Sequence, residues 1–486
     1  MRIAIVHGYF LGDSGSGVYV HNVAQALVAL GHEVTLVCQE REPERYGFID
    51  SAWAFDATNT TLERVGEARR RAGLGSCRLV RPELGGRLLV YVDGPFAGFA
   101  RDGVRTFQDA PEDWLAGYLD ANVAALRATF AQWPPDLVLA HHAFAQPYVV
   151  RQALGDERPY VVTAHGSELN FSLKCDERLA PFAISGLSGA RAVVAVSETS
   201  AHDLVSWAAA HGLDIATTTG VIPPGVDTEL FAPSPSRADA VTRVLANLTL
   251  PAGFDLTPDD DVLAFAGRIG WTKGIQHAVV ALSIVAAVRP KAKLLVAGGG
   301  PAREALVRLA ELLSAGDVAG ARELASSDPE LQTTAEYGPL VPEGIGEVGP
   351  ARVAYLGHLT APDVARVFAA ADVALAPSIF PEAAALVTSE ALSSGALPVV
   401  TYQSGLRQMA DVEAIALDDD AFRSLAPERN LTLGLAEEIL RRLDGYPTRD
   451  LAFRERLHEI AVENFPSWRA VARRHIELGV PAGGDA

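Results

Sequence analysis

Short, unbroken apolar runs recur along nearly the whole chain, and each ends in a polar or glycine-rich loop that leads towards a helical pattern. Arg2–Val6, Leu137–Ala140, Tyr160–Thr163, Ala192–Val196, Val262–Ala266, Lys293–Ala297, Val353–Leu356, Val373–Ala376 and Leu397–Val400 are such runs. Continuous apolar strands of this kind, without alternation, suit parallel sheets covered on both faces. Parallel neighbours need a crossover connection, usually a helix. The pattern therefore predicts an α/β chain built of βαβ units. In open α/β sheets, ligands bind beyond the carboxyl ends of the strands, and polar residues repeatedly stand there.

At 486 residues the chain is too long for one typical domain, so two or three are expected. Hydrophobic residues make up 49% and charged residues 21%, a globular composition. The formal net charge of −19 disfavours nucleic acid as a partner, because a phosphate backbone calls for Lys and Arg. Cys38, Cys77 and Cys175 are scattered without metal-ligand spacing, as in a reduced, intracellular chain. The start of the chain shows no signal peptide. The longest apolar run, Ala278–Val288, is too short to span a bilayer and predicts no transmembrane segment. A cytoplasmic location is expected.

The first strand leads through Gly12-Asp13-Ser14-Gly15-Ser16-Gly17 into a helix over Val18–Leu30, then a strand over Glu33–Cys38. Gly15 and Gly17 form no dinucleotide fingerprint, since the third glycine is missing. They read either as a tight turn or as small residues that let the backbone approach a ligand phosphate. Residues 40–115 resist assignment, apart from a strand over Leu88–Val92. Arg64, Arg69, Arg70, Arg71, Arg78, Arg81 and Arg87 make this the most basic stretch, suited to a solvated helix face, a phosphorylated acceptor or a membrane. A helix is expected over Tyr118–Phe130. His165 ends a strand among small neighbours in Thr-Ala-His-Gly-Ser-Glu, the placement of an exposed, directed imidazole; Glu168 is an acceptor-side candidate. His7, His141 and His142 are weaker candidates.

Val221–Phe231 is proline-rich and turn-forming, and reads as a domain junction. Beyond it, Arg268 and Lys273 share one glycine-flanked loop ahead of the helix Ile275–Val288. A departing diphosphate needs positive charge close by; Arg grips phosphate oxygens bidentately and Lys adds a compact charge. Gly298-Gly299-Gly300-Pro301 is not a P-loop and reads as a turn. Residues 302–350 form an Ala/Glu-rich helical insertion. Further on, Glu382 sits in the loop after Val373–Ala376, and a helix opens near Ala385, Leu386 and Val387, with Glu390 inside it. The first N–H groups of a helix lack intrahelical partners and, with its dipole, suit a phosphate. Carboxylates accept hydrogen bonds from hydroxyls, so the stretch offers partners for a sugar, a diphosphate and a ribose.

Glu382-x7-Glu390, between Phe380-Pro381 and Gly395-x-Leu397-Pro398-Val399-Val400, resembles the signature of retaining glycosyltransferases of the GT-B fold, family 4 type (glycosyl transferases group 1). The resemblance spans nearly the whole chain. It implies two Rossmann-like domains facing a central cleft: an acceptor-side domain over 1–220, a nucleotide-sugar donor domain over 221–465, and a C-terminal crossing helix and tail over 466–486, with the helix at Ser467–Leu478. It implies Arg268 and Lys273 as diphosphate ligands, Glu382 as acceptor of a donor-sugar hydroxyl, Glu390 as ribose ligand, and His165 facing the sugar and the reacting bond. Gly357, His358 and Leu359 would border the nucleobase. The substrates implied are a UDP-, GDP- or ADP-sugar and a hydroxyl acceptor that is a small molecule, saccharide or lipid. No obligatory cofactor is expected. The chain departs from the family at Pro224, where asparagine is more usual, at Ala384 and Ala385, where an aromatic and then glycine are common, and at Gln403-Ser404-Gly405-Leu406-Arg407, which replaces Gly-Gly-x-Pro-Glu.

Other readings weigh less. A glycosidase also uses two carboxylates, but on opposite faces of the bond. A serine hydrolase would show a Gly-x-Ser-x-Gly elbow. No metal cluster is seen, so no metal is expected. A GT-B-shaped sugar-nucleotide epimerase or phosphorylase, and a non-catalytic nucleotide-sugar binding module, remain as alternatives.

Overall fold

The computed structural model describes residues 1–12, 14–66, 75–92, 100–155, 159–384, 386–425 and 430–480. Arg69, Arg70 and Arg71 of the basic stretch, Ala385, and the tail from 481 lie outside the described residues. The chain forms two compact units, Met1–Gly225 with Trp468–Ala486, and Val226–Ser467.

The strands of the first unit are β1 (Arg2–Val6), β2 (Glu33–Val37), β3 (Ser51–Phe55), β4 (Leu62–Gly66), β5 (Ser76–Arg81), β6 (Leu88–Val90), β7 (Val104–Thr106), β8 (Leu137–His141), β9 (Tyr160–Ala164), β10 (Ala192–Ala195) and β11 (Thr219–Val221). Its helices are α1 (Gly15–Ala29), α2 (Glu112–Gln132), α3 (Gln146–Leu154), α4 (Ala180–Ser188) and α5 (Glu198–Ala210). Nine strands form one sheet in the order β11-β10-β9-β8-β1-β2-β5-β3-β4, while β6 and β7 pair separately. Among the described residues, every pairing in the large sheet is parallel except β3 with β4. β1, β8, β9 and β10 are buried almost throughout, which is why they read as unbroken apolar runs.

Three expectations are corrected here. The first helix starts at Gly15 rather than Val18, because Ser14 caps it and accepts a hydrogen bond from Gly17 N at 3.0 Å. The strand expected over Leu88–Val92 ends at Val90, and Tyr91 turns inward to donate from its hydroxyl to Phe144 O at 2.7 Å. The helix expected from Tyr118 already begins at Glu112, with two acidic residues in its first turn to complement the dipole.

The second unit carries β12 (Asp261–Ala266), β13 (Ala292–Ala297), β14 (Val353–Gly357), β15 (Val373–Ala376) and β16 (Leu397–Val400), all parallel in the order β14-β13-β12-β15-β16. Its helices are α6 (Arg237–Asn247), α7 (Ile275–Val288), α8 (Arg303–Ser314), α9 (Val318–Ser327), α10 (Ala361–Ala370), α11 (Leu386–Ser393), α12 (Arg407–Ala416), α13 (Leu431–Gly445) and α14 (Leu451–Asn464). The apolar α7 is buried nearly all round, between the sheet and α13. α8 and α9 occupy the expected insertion, and the chain then returns to the first unit as α15 (Trp468–Gly479). Among the described residues, no helix is long and apolar enough to cross a membrane.

Strand order sets a switch point in each unit. In the first, the chain leaves β1 for β2 on one side and later lays β8 on the other. In the second, β12 is flanked by β13 on one side and β15 on the other. At such a reversal the loops beyond the carboxyl ends diverge and leave a crevice. His7 follows β1 and His141 ends β8. The loop of Arg268 and Lys273 follows β12, and that of Glu382 follows β15.

Candidate active site

In the second unit the loops beyond β12 and β15 are locked together. Ile379 N and Phe380 N donate to Thr272 O at 3.0 and 3.3 Å. Gly274 has a φ of 67°, a left-handed conformation that caps the short helical turn Trp271–Lys273. A Cβ there would stand 1.9 Å from Pro377 O, so the backbone contact requires glycine. This brings Lys273 to Glu382: Nζ lies 2.5 Å from Oε1, and Ser378 Oγ donates to the same oxygen at 2.8 Å. Ser404 Oγ accepts from Glu382 N at 2.9 Å, and Gly405 N donates to Glu382 O at 2.8 Å. Glu382 is thus fixed by its main chain as well as its carboxylate. Arg268 stands exposed at the start of the same glycine-flanked loop.

Leu386 and Val387 open α11, with Glu390 one turn along. Residues at these spacings share a helix face, and side chains lean towards the N-terminus. Glu390 therefore looks back towards the first turn. Burial pushes its carboxyl up to about 7. The residue is nevertheless only half-buried, and no described cation pairs with it. On the other flank, Gly298 N donates to Gly357 O at 2.7 Å and Ile269 N to Gly299 O at 2.9 Å, so the triple glycine is a turn packed on the Arg268 loop. The exposed His358 lies over Gly299, and Leu359 follows it, half-buried.

The first unit gathers a histidine cluster at its own switch point. Glu168 is fully buried and faces inward. Its Oε2 lies 3.0 Å from His142 Nδ1, and its Oε1 accepts from Ala143 N at 3.0 Å and His165 N at 2.8 Å. Burial works to raise this carboxyl, but the His142 imidazole, by charge and hydrogen bond, and then His165 bring it down to about 2. Its contacts order the loops that carry His142 and His165. His142 itself has a φ of 70°, a left-handed conformation rare outside glycine. His165 is half-buried, with Nε2 at 3.0 Å from His141 Nδ1; burial pushes its pKa down to about 3. His7 is enclosed and stacked on His142 at 5.6 Å. Tyr19 of α1 packs edge-on against His165 at 5.2 Å and meets His475 of α15 at 2.9 Å.

Gly15 and Gly17 divide by role. A Cβ on Gly17 would stand 2.4 Å from Phe10 O, so close packing explains that residue. Gly15, exposed in the first turn of α1, has open space where a Cβ would point. Sequence reasoning missed Ser378, Ser404, Tyr19 and His475. Ser378 lies four residues before Glu382, close enough to have been tried as its partner; the others meet their partners only through the fold.

Residues 14–225 match the family model of the glycosyl transferase 4-like domain. No curated protein matches the sequence. Among solved structures, the chain is similar to a sucrose-phosphate synthase from Thermosynechococcus elongatus, at 20% identity and a TM-score of 0.62, covering 98% of each chain. It is similar to HepE from Anabaena, solved in complex with UDP and glucose, at 15% identity and a TM-score of 0.58, again covering 98% of each. A UDP-forming α,α-trehalose-phosphate synthase from Burkholderia vietnamiensis gives 14% identity and a TM-score of 0.57, covering 98% of this chain and 99% of that one. The fold is GT-B. The α/β class and paired Rossmann-like units expected from the sequence are those these structures share.

Proposed function

We propose that the protein is a retaining glycosyltransferase that moves a sugar from a nucleotide-diphosphate donor to an acceptor hydroxyl. The observation that carries this reading is the Lys273–Glu382 pair, braced by Ser378 at a sheet switch point, with Glu390 on the helix that follows. Lys273 and Arg268 take the diphosphate, and the opening turn of α11 at Leu386 and Val387 adds N–H donors. Glu382 accepts from a hydroxyl of the donor sugar, and Glu390 from the ribose. Gly357, His358 and Leu359 border the base, Gly15 leaves room for phosphate, and His165 serves the sugar and the reacting bond. Glu168 acts through His142 and His165 rather than by contact with the acceptor.

The bond from the anomeric carbon to the phosphate oxygen breaks while the acceptor oxygen bonds on the same face. The departing phosphate oxygen takes the acceptor proton, so the products are the glycoside and the nucleoside diphosphate. Lys273 and Arg268 stabilise the charge that grows on that oxygen. Glu382, held by two hydrogen-bonding side chains, positions the sugar and is not the nucleophile. UDP-sugars are the first donors to try, because UDP is the nucleotide named in two of the similar structures. A thermal-shift screen of UDP-, GDP- and ADP-sugars is expected to find one base that raises the melting point, since a ligand that binds only the folded state stabilises it. NMR of the transfer product should show the donor's anomeric configuration; inversion rejects the front-face mechanism.

A further inference from the structure

The contact between His141 and His165 fixes more than a position. The rings are tilted by only 19° with centroids 5.3 Å apart, and the closest nitrogens, His141 Nδ1 and His165 Nε2, are 3.0 Å apart. The rings therefore lie edge to edge in nearly one plane, as a hydrogen bond between them requires. One proton sits between those two nitrogens. Around His165 stand His142 at 4.9 Å, Tyr19 at 5.2 Å and the buried Glu168, with His475 behind Tyr19. Burial pushes His141 well below the ordinary histidine range, as it does His165, so both rings are neutral near pH 7. A neutral imidazole carries one N–H and one bare nitrogen.

Two arrangements satisfy the bond. If His165 Nε2 donated, the proton of His141 would sit on its own Nε2, which is enclosed and has no hydrogen-bond partner among the described residues. If His141 Nδ1 donates, that enclosed Nε2 is only a bare lone pair. An orphaned buried N–H is the rarer and costlier defect. The remaining proton of His165 then sits on Nδ1, which makes no hydrogen bond among the described residues of this half-buried side chain.

We infer that His141 is a positioning residue that fixes the tautomer of His165, so that His165 presents Nδ1–H as a hydrogen-bond donor. Its effect on transfer rests on the proposed function. A neutral donor there serves an electron-rich oxygen, either a sugar hydroxyl or the departing phosphate oxygen, and takes no proton from the acceptor. That agrees with a front-face reaction in which the leaving group itself takes that proton.

The test is a long-range proton–nitrogen NMR correlation on full-length protein labelled with 15N-histidine at pH 7, with His165 assigned by the signals lost in His165→Asn. The inference predicts a protonated Nδ1 and a bare Nε2 on His165. A proton on Nε2 overturns it, and this readout needs no turnover. In kinetics, His141→Phe should lower kcat on the order of 10-fold or more, with KM for the donor within about 2-fold. His141→Asn, whose amide can donate to the same nitrogen, should recover most of that loss. A folded His141→Phe with wild-type kcat also overturns the inference; if His141→Phe does not fold, the wild-type spectrum decides. If the wild type transfers no sugar from any nucleotide donor, the transferase reading falls while the tautomer result stands.

Discussion

Lys273 Nζ lies 2.5 Å from Glu382 Oε1, in two loops joined at Thr272, Ile379 and Phe380. The pair is partly solvated, with side-chain exposures of 35% and 17%, so it adds only ~0–1 kcal/mol to folding. In the proposed reaction, Lys273 meets phosphate charge and Glu382 is released to a sugar hydroxyl. Lys273→Ala and Glu382→Gln are each expected to lower kcat on the order of 10²–10³-fold. Melting points should shift by no more than a few degrees, as differential scanning calorimetry would show.

Glu390 gives a pH signature. Its folded pKa of about 7 lies above the ordinary glutamate value. A raised carboxyl contributes stability that is fully present below the unfolded pKa and is lost as pH rises through the folded one. Without ligand, the wild type should therefore lose melting temperature relative to Glu390→Gln between about pH 4.5 and pH 7. If the ionised form accepts from a ribose, nucleotide binding near pH 7 should release protons. Calorimetric titration in buffers of different ionisation heat would detect them, and Glu390→Gln should abolish the effect.

Glu168 behaves in the opposite sense. Its folded pKa of about 2 lies below the ordinary value, so its contribution is present above the unfolded pKa and is lost as pH falls from about 4.5 towards 2. Glu168→Ala leaves His142, Ala143 N and His165 N without their partner. Chemical denaturation should show a loss of about 3–5 kcal/mol. A loss below about 1 kcal/mol would mean that the carboxylate does not order these loops.

Two glycine substitutions separate packing from ligand room. Gly17→Ala should destabilise the first unit by about 1–3 kcal/mol, because the new methyl meets Phe10 O. Gly15→Ala has open space and should keep the wild-type melting point, so any rise in donor KM would report a ligand close to that backbone. Equal melting points for both variants would contradict the packing argument.

The sequence made the buried parallel strands legible because burial on both faces leaves no polar interruption. β1, β15 and β16 fall where the apolar runs end, and α7 spans Ile275–Val288 as read. The stretch 40–115 was opaque for the converse reason. β4 is largely exposed and pairs antiparallel at the sheet edge, so Leu62–Gly66 carries no continuous apolar signal. The start of α1 was obscured by glycines that a serine cap nonetheless admits to the helix. Lys273 and Glu382 could each be chosen because each follows a strand, but their contact depends on β12 and β15 being neighbours. The inward turn of Glu168 was beyond sequence reasoning. It depends on His142, whose backbone conformation nothing in a His-His dipeptide announces.

The most direct test follows free nucleoside diphosphate by phosphorus NMR after the wild type and Lys273→Ala are mixed with UDP-, GDP- or ADP-sugar, with and without a panel of saccharide, sugar-phosphate and lipid acceptors. Sugar transfer predicts that one donor releases its diphosphate only when an acceptor is present, and that Lys273→Ala slows this on the order of 10²-fold or more. Release that ignores the acceptor, or that proceeds equally fast in Lys273→Ala, would contradict it.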